Sequence, residues 1–173
     1  MKNSPIVYRY TQFLLSALFC ASFQTSSVAG TLELVTNFPA DAREPDSELV
    51  RGSDDAFYGT GQKGGAYDMG AIFKITPTGR RTTLYSFTGD LDGKLPKSGL
   101  VLGSDGNFYG TTHLGGATNE GTIFKMTPSG ALTTLKSMTA STGGNPQFPL
   151  VEGTDGFLYG ICLLYTSPSP RDS

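Results

Sequence analysis

The sequence predicts an all-β fold, a β-propeller-like repeat of four-stranded blades of about 50 residues each in an incomplete ring, and three observations carry that prediction. First, the chain repeats itself: shifting residues 52–88 by 51 positions onto residues 103–139 gives 22 identities in 37 positions, including Phe57-Tyr58-Gly59-Thr60 on Phe108-Tyr109-Gly110-Thr111. Second, a third copy opens at Leu150 and reaches Tyr159-Gly160, 50 residues after Tyr109-Gly110. Third, no segment carries a 3.6-residue apolar period, so nothing competes with strands and turns. A period of this length filled with short strands is the mark of stacked supersecondary units that bury their faces on one another.

The second copy shows the elements in order. Residues 100–102 form a short apolar strand, and Ser104-Asp105-Gly106-Asn107 has the Asp-Gly chemistry of a tight turn. Residues 107–112 return as a second strand, with Phe108 and Tyr109 on opposite faces. Residues 115–121 are a loop, because adjacent glycines without apolar periodicity do not hold a helix. Residues 122–127 are the third strand, closed by the Pro128-Ser129-Gly130 turn, and residues 132–138 are the fourth. Residues 31–38 read as a fourth strand with no blade before it, since Leu34 precedes Tyr58 by 24 residues as Leu135 precedes Tyr159. That strand is expected to complete a closing blade.

Both ends fall outside the repeat. Residues 1–29 read as a secretory signal peptide, with Lys2 and Arg9, an apolar stretch over 13–23, and Ser27-Val28-Ala29 as the cleavage site. The stretch is too short for a span, which needs about 20 residues, and bulky Phe19 before Cys20 fits a lipoprotein site poorly. Residues 162–173 abandon the repeat in mid-motif; back-translated, Cys162 to Asp172 is similar to a transposase adapter used in sequencing libraries, so the segment is expected to be an artefact. The expected domains are therefore a signal at 1–29 and a partial propeller at 30–161. Within the latter, 30–48 is the closing strand, 49–99 and 100–149 are blades, and 150–161 starts the next. The native frame is expected to continue, with room for a C-terminal anchor beyond it.

Residues 30–161 hold 10 Lys and Arg against 14 Asp and Glu, a net charge of −4. That balance offers no basic face for nucleic acid. Cys20 and Cys162 both lie in the excluded ends, so no disulfide is expected and the fold must rest on burial.

The motif Asp105-Gly106-Asn107-Phe108-Tyr109-Gly110-Thr111-Thr112, with Gly115-Gly116, Gly121-Thr122-Ile123-Phe124-Lys125-Met126-Thr127-Pro128-Ser129-Gly130 and Thr133-Thr134-Leu135, resembles the GloVer tandem repeat of exported bacterial proteins. The resemblance covers residues 31–160. The first copy departs from it, with Asp55-Ala56 in place of Gly-Asn and Gly61 in place of Thr. What the resemblance implies is a secreted, propeller-like protein, often surface-anchored, with no catalytic residues to carry over.

The candidate sites within the repeat read as structure. Asp54, Asp105 and Asp155 recur at one turn, where an Asp before Gly binds nearby backbone amides; a ring of calcium-binding carboxylates is the competing reading. Asp90-Leu91-Asp92-Gly93 resembles a calcium loop faintly, and the second copy has no acid there. Gly64-Gly65 and Gly115-Gly116 lack the Lys-Ser/Thr and helix of a phosphate cradle, and read as turn glycines. His113, the only histidine, has no recurring carboxylate or nucleophile beside it and is expected to be a solvated loop position. Phe57, Phe73, Phe108 and Phe124 are expected in the core between blades, with Tyr58, Tyr109 and Tyr159 beside them, their hydroxyls partnered.

No residue is assigned a catalytic, cofactor-binding or metal-binding role, and no cofactor is expected. The function expected is an exported non-catalytic binding or cell-surface interaction module, secreted or at the cell surface. Its partner is a protein or glycan there, with no nucleic acid and no transmembrane span in this part of the chain. The alternative is a propeller enzyme, because the Asp-Gly-Asn strand opening is similar to that of streptogramin-lyase-like proteins, which use a His and acids from unlike blades.

Overall fold

The computed structural model describes residues 47–161 in full, together with the backbone of residues 6–11, 31–37 and 42–43. The described residues are strands, turns and loops without a helix, and hence without a helix long and apolar enough to cross a membrane. In chain order the strands are β1 (Ile6–Thr11), β2 (Thr31–Asn37), β3 (Ala42–Arg43), β4 (Val50–Arg51), β5 (Phe57–Gly61), β6 (Lys63–Gly64) and β7 (Ala71–Ile75). There follow β8 (Arg81–Ser86), β9 (Val101–Leu102), β10 (Phe108–Thr112), β11 (Thr122–Met126), β12 (Leu132–Ser137), β13 (Val151–Glu152) and β14 (Leu158–Tyr159).

Two four-stranded antiparallel sheets, β4-β5-β7-β8 and β9-β10-β11-β12, carry the first two copies, and the β13-β14 hairpin opens the third. Each expected strand of the second copy is found to within about one residue, because the turns between them are set by local chemistry. Gly79 and Gly130 close the outer turns by donating to the carbonyls of Thr76 and Thr127 at 2.9 Å each. The copies match in detail: β7 against β8 slips register at Ile72/Phe73, and β11 against β12 slips at Ile123/Phe124. The strand expected over 31–38 is β2. Its partner is β1, within the segment read as a signal, while β3 pairs with β6 on the rim of the first copy.

The glycine of the Phe-Tyr-Gly-Thr motif has a packing reason. Gly59 lies directly opposite Phe73, and Gly110 opposite Phe124. A Cβ on Gly110 would stand 2.6 Å from the Phe124 ring and 3.1 Å from Leu100, and one on Gly59 would stand 2.7 Å from both Phe73 and Leu49. The phenyl ring of the third strand thus lies across the second strand where no side chain stands, beside the leucine that leads into the first.

The two sheets share one core. Ala56, Tyr58, Ile72 and Phe87 of the first copy pack with Leu100, Phe108, Phe124 and Met126 around the second. The Tyr58 and Phe108 ring centroids are 4.1 Å apart, and Phe87 meets Phe124 edge-on at 5.5 Å. Burying each such ring contributes about 1.5–3 kcal/mol, which makes the seam between copies the main source of cohesion. Backbone bonds stitch the seam further: Lys94 and Leu114 exchange amide bonds at 2.8 and 3.2 Å, and His113 N donates to Leu95 O at 3.0 Å.

One expectation needs correction here. Phe108 and Phe124 are core, but Phe57 is 37 % exposed while its neighbour Tyr58 is fully buried. In the second copy the order reverses: Phe108 is buried and Tyr109 half-exposed, and Tyr159 is 55 % exposed. The reason is position in the stack. At the seam between the first two copies Tyr58 and Phe108 cover each other and Phe57 faces away, whereas Phe157, the equivalent residue of the third copy, is 68 % exposed.

Candidate functional site

The repeated aspartates sit where the turn chemistry places them, and they do more than close the turn. Asp105 Oδ1 accepts the Asn107 amide at 3.0 Å, and its Oδ2 accepts from Tyr109 Oη at 2.8 Å and Lys125 Nζ at 2.9 Å. Asp54 repeats the arrangement with the Ala56 amide at 3.3 Å, Tyr58 Oη at 3.0 Å and Lys74 Nζ at 2.5 Å. Asp155 holds the Phe157 amide at 3.1 Å and Tyr159 Oη at 2.6 Å. The lysines arrive by register, since Tyr58 pairs with Lys74 and Tyr109 with Lys125 across the strands. Each ammonium therefore also lies over the tyrosine ring, at 5.5 and 5.7 Å from the centroid.

The clasp holds each of its groups in its ordinary charged or protonated form. The lysine ammonium, followed by the amide and phenol bonds, keeps the Asp105 carboxyl well below the usual carboxylate range, and Lys74 leads the same effect on Asp54. Burial, and then the aspartate, push the Tyr58 and Tyr109 phenols up, while the aspartates push Lys74 and Lys125 up. An ammonium that keeps its proton is no nucleophile, and a phenol that keeps its proton is no base.

Asp92, in the stretch with a faint calcium-loop pattern, is engaged internally. Its carboxylate accepts from Tyr85 Oη at 3.0 Å, the Thr88 amide at 2.8 Å and Thr88 Oγ1 at 2.6 Å. Those bonds staple the fourth strand to the loop that leads into the second copy. The paired glycines Gly64-Gly65 and Gly115-Gly116 all have positive φ, between 73° and 90°. They turn the chain so that Gly64 N reaches Asp68 Oδ1 at 2.9 Å and Gly115 N reaches Asn119 Oδ1 at 3.1 Å.

His113 departs from its expected setting. It is half-buried rather than solvated, and its Nδ1 is buried with no hydrogen-bond partner. Burial first, and then the positive charge of Lys97, lower its pKa, against a weaker opposing pull from the backbone at Pro146 and Asn145. The loop folds inward because the lead into the second copy, residues 94–95, pairs with residues 113–114. A catalytic imidazole is usually oriented and made more basic by a carboxylate; the charge acting on this one is a cation.

Beside Lys97 lies a cavity of about 360 Å³, lined by residues 47–50, residues 97–100, Gln147 and Pro149. These are the leads into β4, β9 and β13, brought together from three successive copies and on the side of the long loops. Ser47 Oγ and Ser98 Oγ turn away to Thr60 and Thr111, at 2.9 and 2.8 Å, and Thr60 Oγ1 donates to Ser98 O at 3.0 Å across the seam. Leu49, Leu100 and Leu150, and Val50, Val101 and Val151, repeat along these leads. The neighbouring positions do not: Glu48 corresponds to Gly99 and Pro149, and Lys97 to Gln147.

Sequence reasoning missed both groupings. The clasp lysines had a signal in the repeat itself, since Lys74 and Lys125 each follow the turn aspartate by 20 residues. Glu152, which accepts from Ser104 N at 2.9 Å and Ser104 Oγ at 2.7 Å, and the cavity positions Glu48, Lys97 and Gln147 had none, because they differ between copies.

The model of the Gloeobacter/Verrucomicrobia repeat matches residues 8–167, a span that enters both end segments set aside above, and the chain belongs to that family. No curated protein matches the chain.

Proposed function

We propose, with membership of this repeat family as the premise, that the protein is an exported, non-catalytic binding or cell-surface interaction module, a β-propeller-like ring of four-stranded blades that presents its long loops to a protein or glycan partner. Residues 1–29 serve as the signal peptide in this reading, cleaved after Ala29. The blade arrangement is supported by two matching four-stranded meanders that bury one face against each other.

The observation that carries the binding role is where the copies differ. Strands and clasps repeat, whereas Lys63 against Leu114, Tyr67-Asp68-Met69 against Thr118-Asn119-Glu120, and the cavity positions Glu48 against Gly99 and Lys97 against Gln147 change from copy to copy. Variation on a rigid, repeated scaffold is how recognition surfaces are made.

The test is to assay the full-length exported protein against polysaccharides, esters and lactones, alongside pull-downs from its native cell surface. A variant in which residues 113–121 carry the sequence of residues 62–70 keeps the scaffold and should lose capture. Turnover abolished by His113→Ala, with folding intact, would overturn the binding reading in favour of a lyase-like enzyme.

A further inference from the structure

The cavity lining includes one acidic and one basic residue that are not paired with each other. Glu48 and Lys97 come from successive copies, line the same space, and make no ion pair or side-chain hydrogen bond with any described residue. Other acids nearby are committed: Asp92 to Tyr85 and Thr88, Glu120 to Asn145, Glu152 to Ser104. The two serines of the lining are committed as well, to Thr60 and Thr111, so the side chains of the lining not engaged with any described residue that can meet a ligand are Glu48, Lys97 and Gln147.

The composition of the lining narrows the ligand. It contains no aromatic side chain, and so no stacking platform for a sugar ring or a base. A single ammonium is a poor match for a phosphate, which favours several donors, and a single carboxylate is a poor match for calcium, which takes six to eight oxygens. Opposite charges set apart in one concave site are complementary to a molecule carrying both. Leu49, 37 % exposed, and Pro149 add an apolar surface beside them.

We propose that this cavity binds a small zwitterion, an aliphatic α-amino acid or a dipeptide, whose ammonium donates to the Glu48 carboxylate and whose carboxylate accepts from Lys97 Nζ and the Gln147 amide. The aliphatic side chain rests on Leu49 and Pro149. The inference rests on the reading of the loop side as a binding surface and gives that surface a ligand class at its cavity.

Calorimetric titration of the full chain with L-leucine, leucyl-glycine, N-acetyl-leucine and leucinamide tests it. At least one of the first two should bind, which separates free amino acid from dipeptide, and blocking either charge should weaken binding about tenfold or more. Glu48→Gln should erase the preference over the acetylated form and keep the preference over the amide. Lys97→Met should do the reverse. Circular dichroism of both variants should match the parent, since neither side chain contributes to the core. Equal binding of zwitterionic and blocked forms, no binding of any, or variants that leave the preferences unchanged would each overturn the inference. If loop-dependent capture of a surface partner survives that result, only the ligand assignment falls; if capture is lost as well, the binding reading falls with it.

Discussion

Gly110→Ala is the sharpest perturbation the packing allows. The new Cβ would stand 2.6 Å from Phe124 Cζ, 3.1 Å from Leu100 Cδ2 and 3.2 Å from Phe124 Cε1. Carbon atoms settle at about 3.5–4.0 Å, so the overlap with the ring is close to 1 Å. Phe124 is fully buried and meets Phe87 across the seam, so its ring has no solvent to swing into. Overpacking of this kind costs about 1–3 kcal/mol, offset by roughly 0.5–1 kcal/mol because alanine loses less backbone freedom than glycine in a strand. An overlap of nearly 1 Å against a buried ring places the cost in the upper part of that range, about 2–3 kcal/mol, so the net expectation is a loss of about 1–2.5 kcal/mol, read as a lower urea midpoint at unchanged slope. Phe124→Leu alone should also destabilise, through the space it leaves. Combined with Gly110→Ala it should cost clearly less than the sum, because the leucine vacates the volume the methyl needs. A Gly110→Ala protein as stable as the parent, or a pair that adds within about 0.5 kcal/mol, would refute the ring-over-glycine account.

Two further predictions concern pH. The Lys125 ammonium leads the depression of the Asp105 carboxyl, so Asp105 adds stability that is full above the ordinary carboxylate range and is lost as pH falls toward its depressed folded value. Lys125→Gln should raise that value in a carboxyl NMR titration and move the onset of acid unfolding to higher pH; an unmoved Asp105 titration argues against the clasp. Tyr85, pushed up to about 12 by burial and by its bond to Asp92, keeps its proton in the folded state after an unfolded tyrosine would have lost it. Stability should therefore decline as pH climbs from about 10 toward about 12. Tyr85→Phe should delete the last-ionising phenol from the phenolate absorbance titration, and an unchanged profile would show that another tyrosine is the late one.

Much of the fold was legible because it is local. Asp105-Gly106-Asn107 and Pro128-Ser129-Gly130 make their turns from their own side chains and backbone, so strand boundaries follow wherever those residues stand. Alternation placed Phe108 and Tyr109 on opposite faces before any partner was known. Identity between copies then supplied a second reading of every element, but that strand register sets Gly59 opposite Phe73 and Gly110 opposite Phe124 came only from the structure.

What the sequence by itself determined is the unit: four short strands, their turns, the two faces of each sheet, and the fact of repetition. What only the tertiary structure decided is which groups from different units meet. Phe57 and Phe108 are the same residue in the same local setting, yet one is exposed and the other buried, because burial depends on the neighbouring sheet. The clasp joins an aspartate to a lysine 20 residues on through strand register. His113 comes under the field of Lys97 because residues 113–114 pair with residues 94–95, and Glu48, Lys97 and Gln147 converge on one cavity because successive copies stack. Local propensity acts over a few residues, whereas these encounters join residues up to a hundred positions apart and exist only once burial at the seams has drawn the copies together.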